Sequence, residues 1–160
     1  MKNLFLIAVI AFSATTLLGQ TKTFKGAWFQ VKYPSSFTPK SSLKSATSQE
    51  GCESAFFKSP DKLVEFYIFS PQWSGNPTDI SLKSTEKLLS STSQTSGSKI
   101  VKWWKISAKD GSYTRSYQEN KDTLQNTNMV IGIKYKNLNA YNKYKKQYLA
   151  FKSSLTQYAD

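Results

Sequence analysis

The sequence contains no histidine, one cysteine and one arginine. Lacking histidine, the chain has neither the commonest general base nor the imidazole partner of Ser-His and Cys-His nucleophiles. The usual transition-metal ligand is missing with it. Cys52, being alone, forms neither an intramolecular disulfide nor a multi-cysteine zinc site. It is expected to be buried as a small hydrophobe, with an intermolecular Cys52-linked dimer as the alternative to a monomer. Bidentate recognition of a phosphate or carboxylate is confined to Arg115, because every other cation is a lysine, which acts as a point charge. Acids are few and scattered. Asp61 and Asp110 fall in expected turns, Asp79 at an expected helix cap, and Glu50 and Glu53 at a loop edge. No acid/base pair is set up, and neither Gly-Xaa-Ser-Xaa-Gly nor a glycine-rich phosphate loop occurs. The expectation is a protein without enzymatic activity, cofactor or metal.

What is present is a single domain's length of chain, 160 residues, with 39% hydrophobic and 14% aromatic residues. That is enough for a core built largely from Phe, Tyr and Trp. The formal charge is +12, a balance that favours loose contact with polyanions such as lipopolysaccharide, acidic glycans or anionic lipid. A solvated lysine-rich surface accounts for the same charge.

Met1-Lys2-Asn3, then nine apolar residues from Leu4 to Phe12, then the more polar stretch to Gln20, have the form of an export signal over residues 1–19. The apolar run is short for a membrane span, and an uncleaved anchor is the alternative. Gln20 stands where a lipoprotein would carry its lipidated cysteine, so lipidation is not expected. The expected location is periplasmic or extracellular, with residues 20–160 forming one domain.

Period-two alternation places a strand at residues 28–33, with Phe29, Val31 and Tyr33 on one face and Pro34 ending it. Residues 38–51 read as a solvated loop. Residues 55–57 and 63–69 form a hairpin across Ser59-Pro60-Asp61-Lys62. Its second strand is apolar on both faces, as in a central strand covered on both sides. Thr78-Asp79 is expected to cap a helix carrying Ile80, Leu82, Leu88 and Leu89. Residues 90–98, almost all Ser, Thr and Gln, read as a loop or a frayed helix end.

Asp110-Gly111 between two alternating runs is the type I′ hairpin dipeptide. The implied register pairs Ala108 with Tyr113, Ile106 with Arg115 and Trp104 with Tyr117, and puts Trp103 opposite Gln118 on the other face. Residues 129–135 form a further strand, in which Gly132 lets a neighbour approach closely. Tyr141, Tyr144, Tyr148, Phe151, Leu155 and Tyr158 recur at helical spacing, a stripe expected to lie on the sheet. Two candidate sites follow. Arg115 lies among Trp104, Tyr113 and Tyr117, where it could hold a carboxylate or phosphate; the alternatives are an internal pair with Glu65 or Glu119, or an open sheet face. The second is a basic patch of Lys134, Lys136, Lys143, Lys145, Lys146 and Lys152. Nucleic acid is not an expected partner for an exported protein.

The aromatic-rich strand running into Tyr33-Pro34-Ser35-Ser36-Phe37 resembles the opening of PsbP-like domains, and the order of elements is similar. The resemblance implies an α+β fold: a mainly antiparallel β-sheet covered by helices on both faces, with a long C-terminal helix. It also implies a binding or assembly accessory rather than an enzyme, whose partner is an unknown protein or envelope component. The alternatives are a basic envelope-surface protein that binds polyanions, and a hydrolase. No functional residue carries over from the resemblance.

Overall fold

A computed structural model describes residues 19–158. The expected export signal lies, up to residue 18, outside the described residues. In order, the elements are β1 (Thr21–Lys25), β2 (Phe29–Pro34), β3 (Thr38–Ser41), β4 (Ser54–Lys58), β5 (Val64–Phe69), a 3-10 turn (Thr78–Ile80), β6 (Glu86–Ser96), β7 (Lys99–Ala108), β8 (Thr114–Asp122), β9 (Thr127–Tyr135), α1 (Leu138–Ser153) and β10 (Thr156–Gln157). They form a seven-stranded sheet, ordered β3-β4-β5-β9-β8-β7-β6, and a three-stranded one, β1-β2-β10. Every pairing among them is antiparallel.

Alternation along the strands divides the large sheet into two faces with different covers. On the first face Phe57, Phe66, Ile68, Ile131 and Ile133 meet Phe29, Val31 and Tyr33 of β2 and Ala140, Tyr144 and Phe151 of α1. The side chain of Asn137 caps α1 by accepting from the Ala140 N–H at 2.9 Å. One turn further on, the Tyr144 hydroxyl (2.7 Å) and Lys143 Nζ (2.8 Å) both donate to Asp61, tying α1 to the β4–β5 turn. On the second face Tyr67, Phe69, Tyr117 and Val130 form a smaller cluster with Ile80 from the 3-10 turn. β5 contributes to both clusters, as its two apolar faces require.

Several expectations hold residue by residue. The β7–β8 register pairs Ile106 with Arg115, Trp104 with Tyr117 and Trp103 with Gln118. Gly132 sits opposite both Tyr67 and Tyr117, and a Cβ added there would run into the Tyr117 ring and lie 3.0 Å from the Ser116 carbonyl. The Cys52 side chain is buried, and burial raises its thiol pKa, so it is not presented for pairing with a second chain.

Other expectations are corrected. The described residues hold one α-helix, on one face; helices do not cover both. Where a helix was expected from Thr78 to Leu89 there is a single 3-10 turn, followed by the edge strand β6. Two causes are visible. The Ile80 and Ser81 carbonyls, which a helix would use in its own ladder, accept instead from Arg115 at 2.8 and 3.0 Å. Leu82, Leu88 and Leu89 are exposed, so they supply no apolar face. Most of the expected loop at residues 90–98 is the body of β6, turned back on β7 through Gly97, whose φ is +59°. β3 occupies the start of the other expected loop, with Pro39 tolerated because the strand is at the edge. The Asp110-Gly111 turn preserves the register without being type I′: Gly111 has φ +75° but Asp110 is not left-handed. Instead Asp110 Oδ1 accepts from the Ser112 N–H (2.9 Å) and hydroxyl (2.7 Å). The helical stripe also ends early, at Ser153; Leu155 still packs on the core, while Tyr158 lies beyond the helix and is exposed.

Because a Cβ at position 132 has no room beside Tyr117, Gly132→Ala is expected to cost about 1–3 kcal/mol in urea unfolding, with secondary structure retained. Wild-type stability in that variant would show that the close approach is not a constraint.

Candidate functional site

The second face of the large sheet is only partly covered, and a cavity of about 430 Å³ opens there. Its floor is set by strand alternation. Thr38 and Lys40 of β3, Phe56 and Lys58 of β4, Glu65 of β5, Lys134 of β9 and Arg115 and Tyr117 of β8 all project to this side. Asp79, Ile80, Lys83 and Glu86, from the segment that crosses the sheet, close the other wall with Tyr113. A smaller cavity of about 200 Å³ shares Lys58, Glu65, Tyr113 and Lys134 and adds Lys62 and Lys136.

Arg115 is the most constrained group in this wall. Its side chain is 5% exposed and that of its partner Glu86 is 1% exposed, so the pair is dry. Nη2 donates to Glu86 Oε2 at 2.5 Å and to the Ser81 carbonyl, and Nη1 donates to the Ile80 carbonyl and to the Tyr117 hydroxyl at 3.1 Å. Four of the five donors of a guanidinium are thereby committed to the protein itself. Nε, the fifth, has no partner among the described residues. Glu86 is equally occupied: Oε1 accepts from the Tyr113 hydroxyl at 2.7 Å and Oε2 also accepts from the Lys83 N–H at 2.9 Å. Burial works to raise the Glu86 carboxyl, but the hydrogen bonds from Arg115, Tyr113 and Lys83 outweigh it and hold the pKa down at about 2. Burial pushes the Tyr117 phenol up to about 12, against the opposing pull of Arg115.

Of the other two acids in the wall, Asp79 is occupied in a similar way and Glu65 is not. Asp79 accepts from Tyr67 Oη at 2.7 Å and from Ser54 Oγ at 2.6 Å. Glu65 has Lys58 Nζ at 3.9 Å, a distant contact. Apart from Lys58, the lysines of the wall have no carboxylate partner among the described residues. Lys40 and Lys83 make no side-chain hydrogen bond or ion pair among the described residues, and Lys134 Nζ rests 4.1 Å above the Tyr113 ring.

Of the residues singled out from sequence, Arg115, Tyr113, Tyr117 and Lys134 line this cavity together, and Lys136 borders its smaller neighbour. Trp104 stands behind them, stacked on Tyr117 with centroids 5.2 Å apart. The other lysines are not gathered here. Lys143 pairs with Asp61, Lys152 donates to Gln118 at 2.5 Å on the opposite face, and Lys145 and Lys146 are exposed on α1. Arg115 is paired internally, but with Glu86 rather than Glu65 or Glu119. Sequence reasoning missed Lys40, Lys58 and Lys83. Extending the alternation through β3 and β4 would have placed the first two on the face of Glu65 and Tyr67.

Glu86→Gln is expected to cost about 3–5 kcal/mol at neutral pH, because it leaves the Arg115 charge buried without its counter-ion. The pH dependence has a definite sign. A carboxylate whose folded pKa lies below its unfolded value contributes stability at neutral pH, and that contribution is lost as the pH falls from about 5 towards 2. Thermal unfolding across that window should therefore be flatter for the variant. The slope that remains belongs to Asp61, Asp110 and Asp122, whose carboxyls are also held down. At Asp61 burial opposes the shift, and bonds from Lys143, Ser59 and Tyr144 outweigh it; at Asp110 and Asp122 the hydrogen bonds from Ser112 and Ser98 lead. An unaltered acid slope would contradict the role given to this pair.

No protein-family model matches the chain, and no curated protein matches it. Solved structures do. Cyanobacterial PsbP (CyanoP) from Synechocystis sp. PCC 6803 matches with a TM-score of 0.52 at 7% identity, over 93% of this chain and 99% of that one. A protein of Bacteroides thetaiotaomicron VPI-5482 matches at 0.45 and 15% identity, over 89% of this chain and 49% of that one. The Ran-binding protein Mog1p of Saccharomyces cerevisiae matches at 0.45 and 9% identity, over 88% and 97%. Identities this low speak to fold alone. This chain has a PsbP-like α+β fold, a mainly antiparallel sheet with one C-terminal helix.

Proposed function

We propose that this is an exported, non-catalytic binding protein that takes an organic anion in the cavity on the second face of its sheet. The observation that carries this reading is the division of labour between acids and lysines in the cavity wall. Five cations, Lys40, Lys58, Lys83, Arg115 and Lys134, stand against three carboxylates. Asp79 and Glu86 are committed to internal donors, whereas Lys40 and Lys83 have no counter-ion among the described residues. Phe56, Ile80 and Tyr117 give the ligand an apolar surface, and the volume of about 430 Å³ suits a small molecule. Lys62 and Lys136 extend the positive wall into the neighbouring cavity, which leaves room for a second anionic group. Such a wall suits phosphorylated or carboxylated envelope components, the chemistry that lipopolysaccharide and acidic glycans share.

A catalytic role has little to work with. The chain has no histidine, and the Glu86 carboxyl, held near 2, is a poor base. Export rests on the charged start and apolar run of residues 1–12. No described helix is long and apolar enough to cross a membrane.

Isothermal titration with phenyl phosphate, and with uncharged phenol as its control, tests the reading. Phenyl phosphate should bind, more weakly as salt is raised, and Lys40→Glu/Lys83→Glu should weaken it by roughly tenfold or more. Equal binding of phenol, or an affinity the double variant leaves untouched, would refute the anion site.

A further inference from the structure

The outer edge of β6 is unlike the other edges of this protein. Free strand edges invite pairing with another chain and are ordinarily blunted by lysine, proline or bulges. β3, at the far side of the same sheet, is four residues long and contains Pro39 and Lys40. β1, at the edge of the small sheet, carries Lys22 and Lys25. β6 runs for eleven residues, and its one irregularity lies near its start, between Leu88 and Ser90. Beyond that point Ser90-Ser91-Thr92-Ser93-Gln94-Thr95-Ser96 pairs with β7 in unbroken register. This stretch contains neither a charge nor a proline, in a chain of 22 cations. All seven residues are exposed, and among the described residues only β7 pairs with the strand.

Hairpin geometry identifies the groups on offer. Ser96 and Lys99 flank the two-residue loop Gly97-Ser98. Gly97 alone is left-handed, which fits a II′ turn and makes the flanking residues a hydrogen-bonded pair. Alternate pairs then bond inward, so the amides and carbonyls of Ser91, Ser93 and Thr95 face away from β7. They form a short row of outward donors and acceptors, ready for one more strand.

The surroundings select the occupant. Lys87, Lys99, Lys102 and Lys105 flank this edge on β6 and β7. Of the nearby acids, Glu86 is taken by Arg115, and Glu119 and Asp122 stand opposite Lys102 and Lys99 in the β7–β8 register, while Lys87 and Lys105 face only serines across their strands. A second copy of this chain would bring the same lysines against each other. An extended acidic segment would pair with the open ladder and meet opposite charge on the face that carries Lys87, Lys99 and Lys105.

We propose that β6 is a strand-addition site for an extended, acidic segment of a partner protein. It is separate from the cavity, since none of Ser90–Ser96 lines it, and so it stands or falls independently of the anion reading.

The test uses a ten-residue peptide alternating glutamate and valine, with a lysine–valine peptide as control, titrated into the 15N-labelled protein. The acidic peptide should bind and slow amide exchange at Ser91, Ser93 and Thr95. Ser93→Pro removes an outward donor without touching the β6–β7 ladder and should weaken binding by roughly tenfold. Should that variant fold poorly, Thr92→Glu/Gln94→Glu keeps every backbone donor, repels the acidic peptide and should weaken it as well. Three results would overturn the proposal: binding of the lysine peptide as tight as that of the acidic one, perturbation away from β6, or affinity unchanged in both variants. A concentration-dependent dimer that protects the same three amides without peptide would overturn it too, by making a second copy the occupant.

Discussion

The buried Arg115–Glu86 pair is the contact on which the second face of this protein depends. The segment between Ile80 and Glu86 crosses that face without a helix or strand of its own. Its backbone groups need partners, and the guanidinium supplies them at the Ile80 and Ser81 carbonyls. Glu86 then neutralises the charge that makes those bonds strong. Coulomb attraction within a dry pair only offsets the cost of desolvating it. What the pair adds is position: it holds Ile80 on the aromatic cluster and fixes where β6 begins.

The two faces illustrate different ways of covering one sheet. On the first, α1 and β2 bury rings and branched side chains in a continuous core, and the polar link from Asp61 to Tyr144 and Lys143 sits at its margin. On the second, a thin crossing segment leaves space, and the space is lined by charge. The open cavity and the larger core thus lie on opposite sides of the same strands. β5 serves both, with Phe66 and Ile68 turned one way and Glu65 and Tyr67 the other.

What could be read from the sequence follows from how local the governing physics is. The β7–β8 register was legible because an Asp-Gly turn and a period of two specify it within the stretch from Lys99 to Asp122. Gly132 was legible because a glycine inside an apolar strand marks a close approach. β6 was not, because a run of serine and threonine has no apolar alternation; it becomes a strand by pairing with β7. The failed helix at residues 78–89 is the same lesson in reverse. Its cap and its leucines were local signals, but the residue that captures its carbonyls is Arg115, more than thirty positions away. The partner of Arg115 was hidden for the same reason, since Glu86 reaches it only once that helix is gone.

One consequence concerns light rather than energy. Tyr117 accepts a hydrogen bond from Arg115 at its hydroxyl, carries the Trp104 indole stacked on its ring and meets Tyr67 edge-on at 5.8 Å. An occupant of the cavity would lie against Tyr117, the middle ring of the three, with the indole chromophore stacked directly on it. With Trp28, Trp73 and Trp103 replaced by phenylalanine, the molecule would carry its own optical reporter in Trp104, and no dye need be attached.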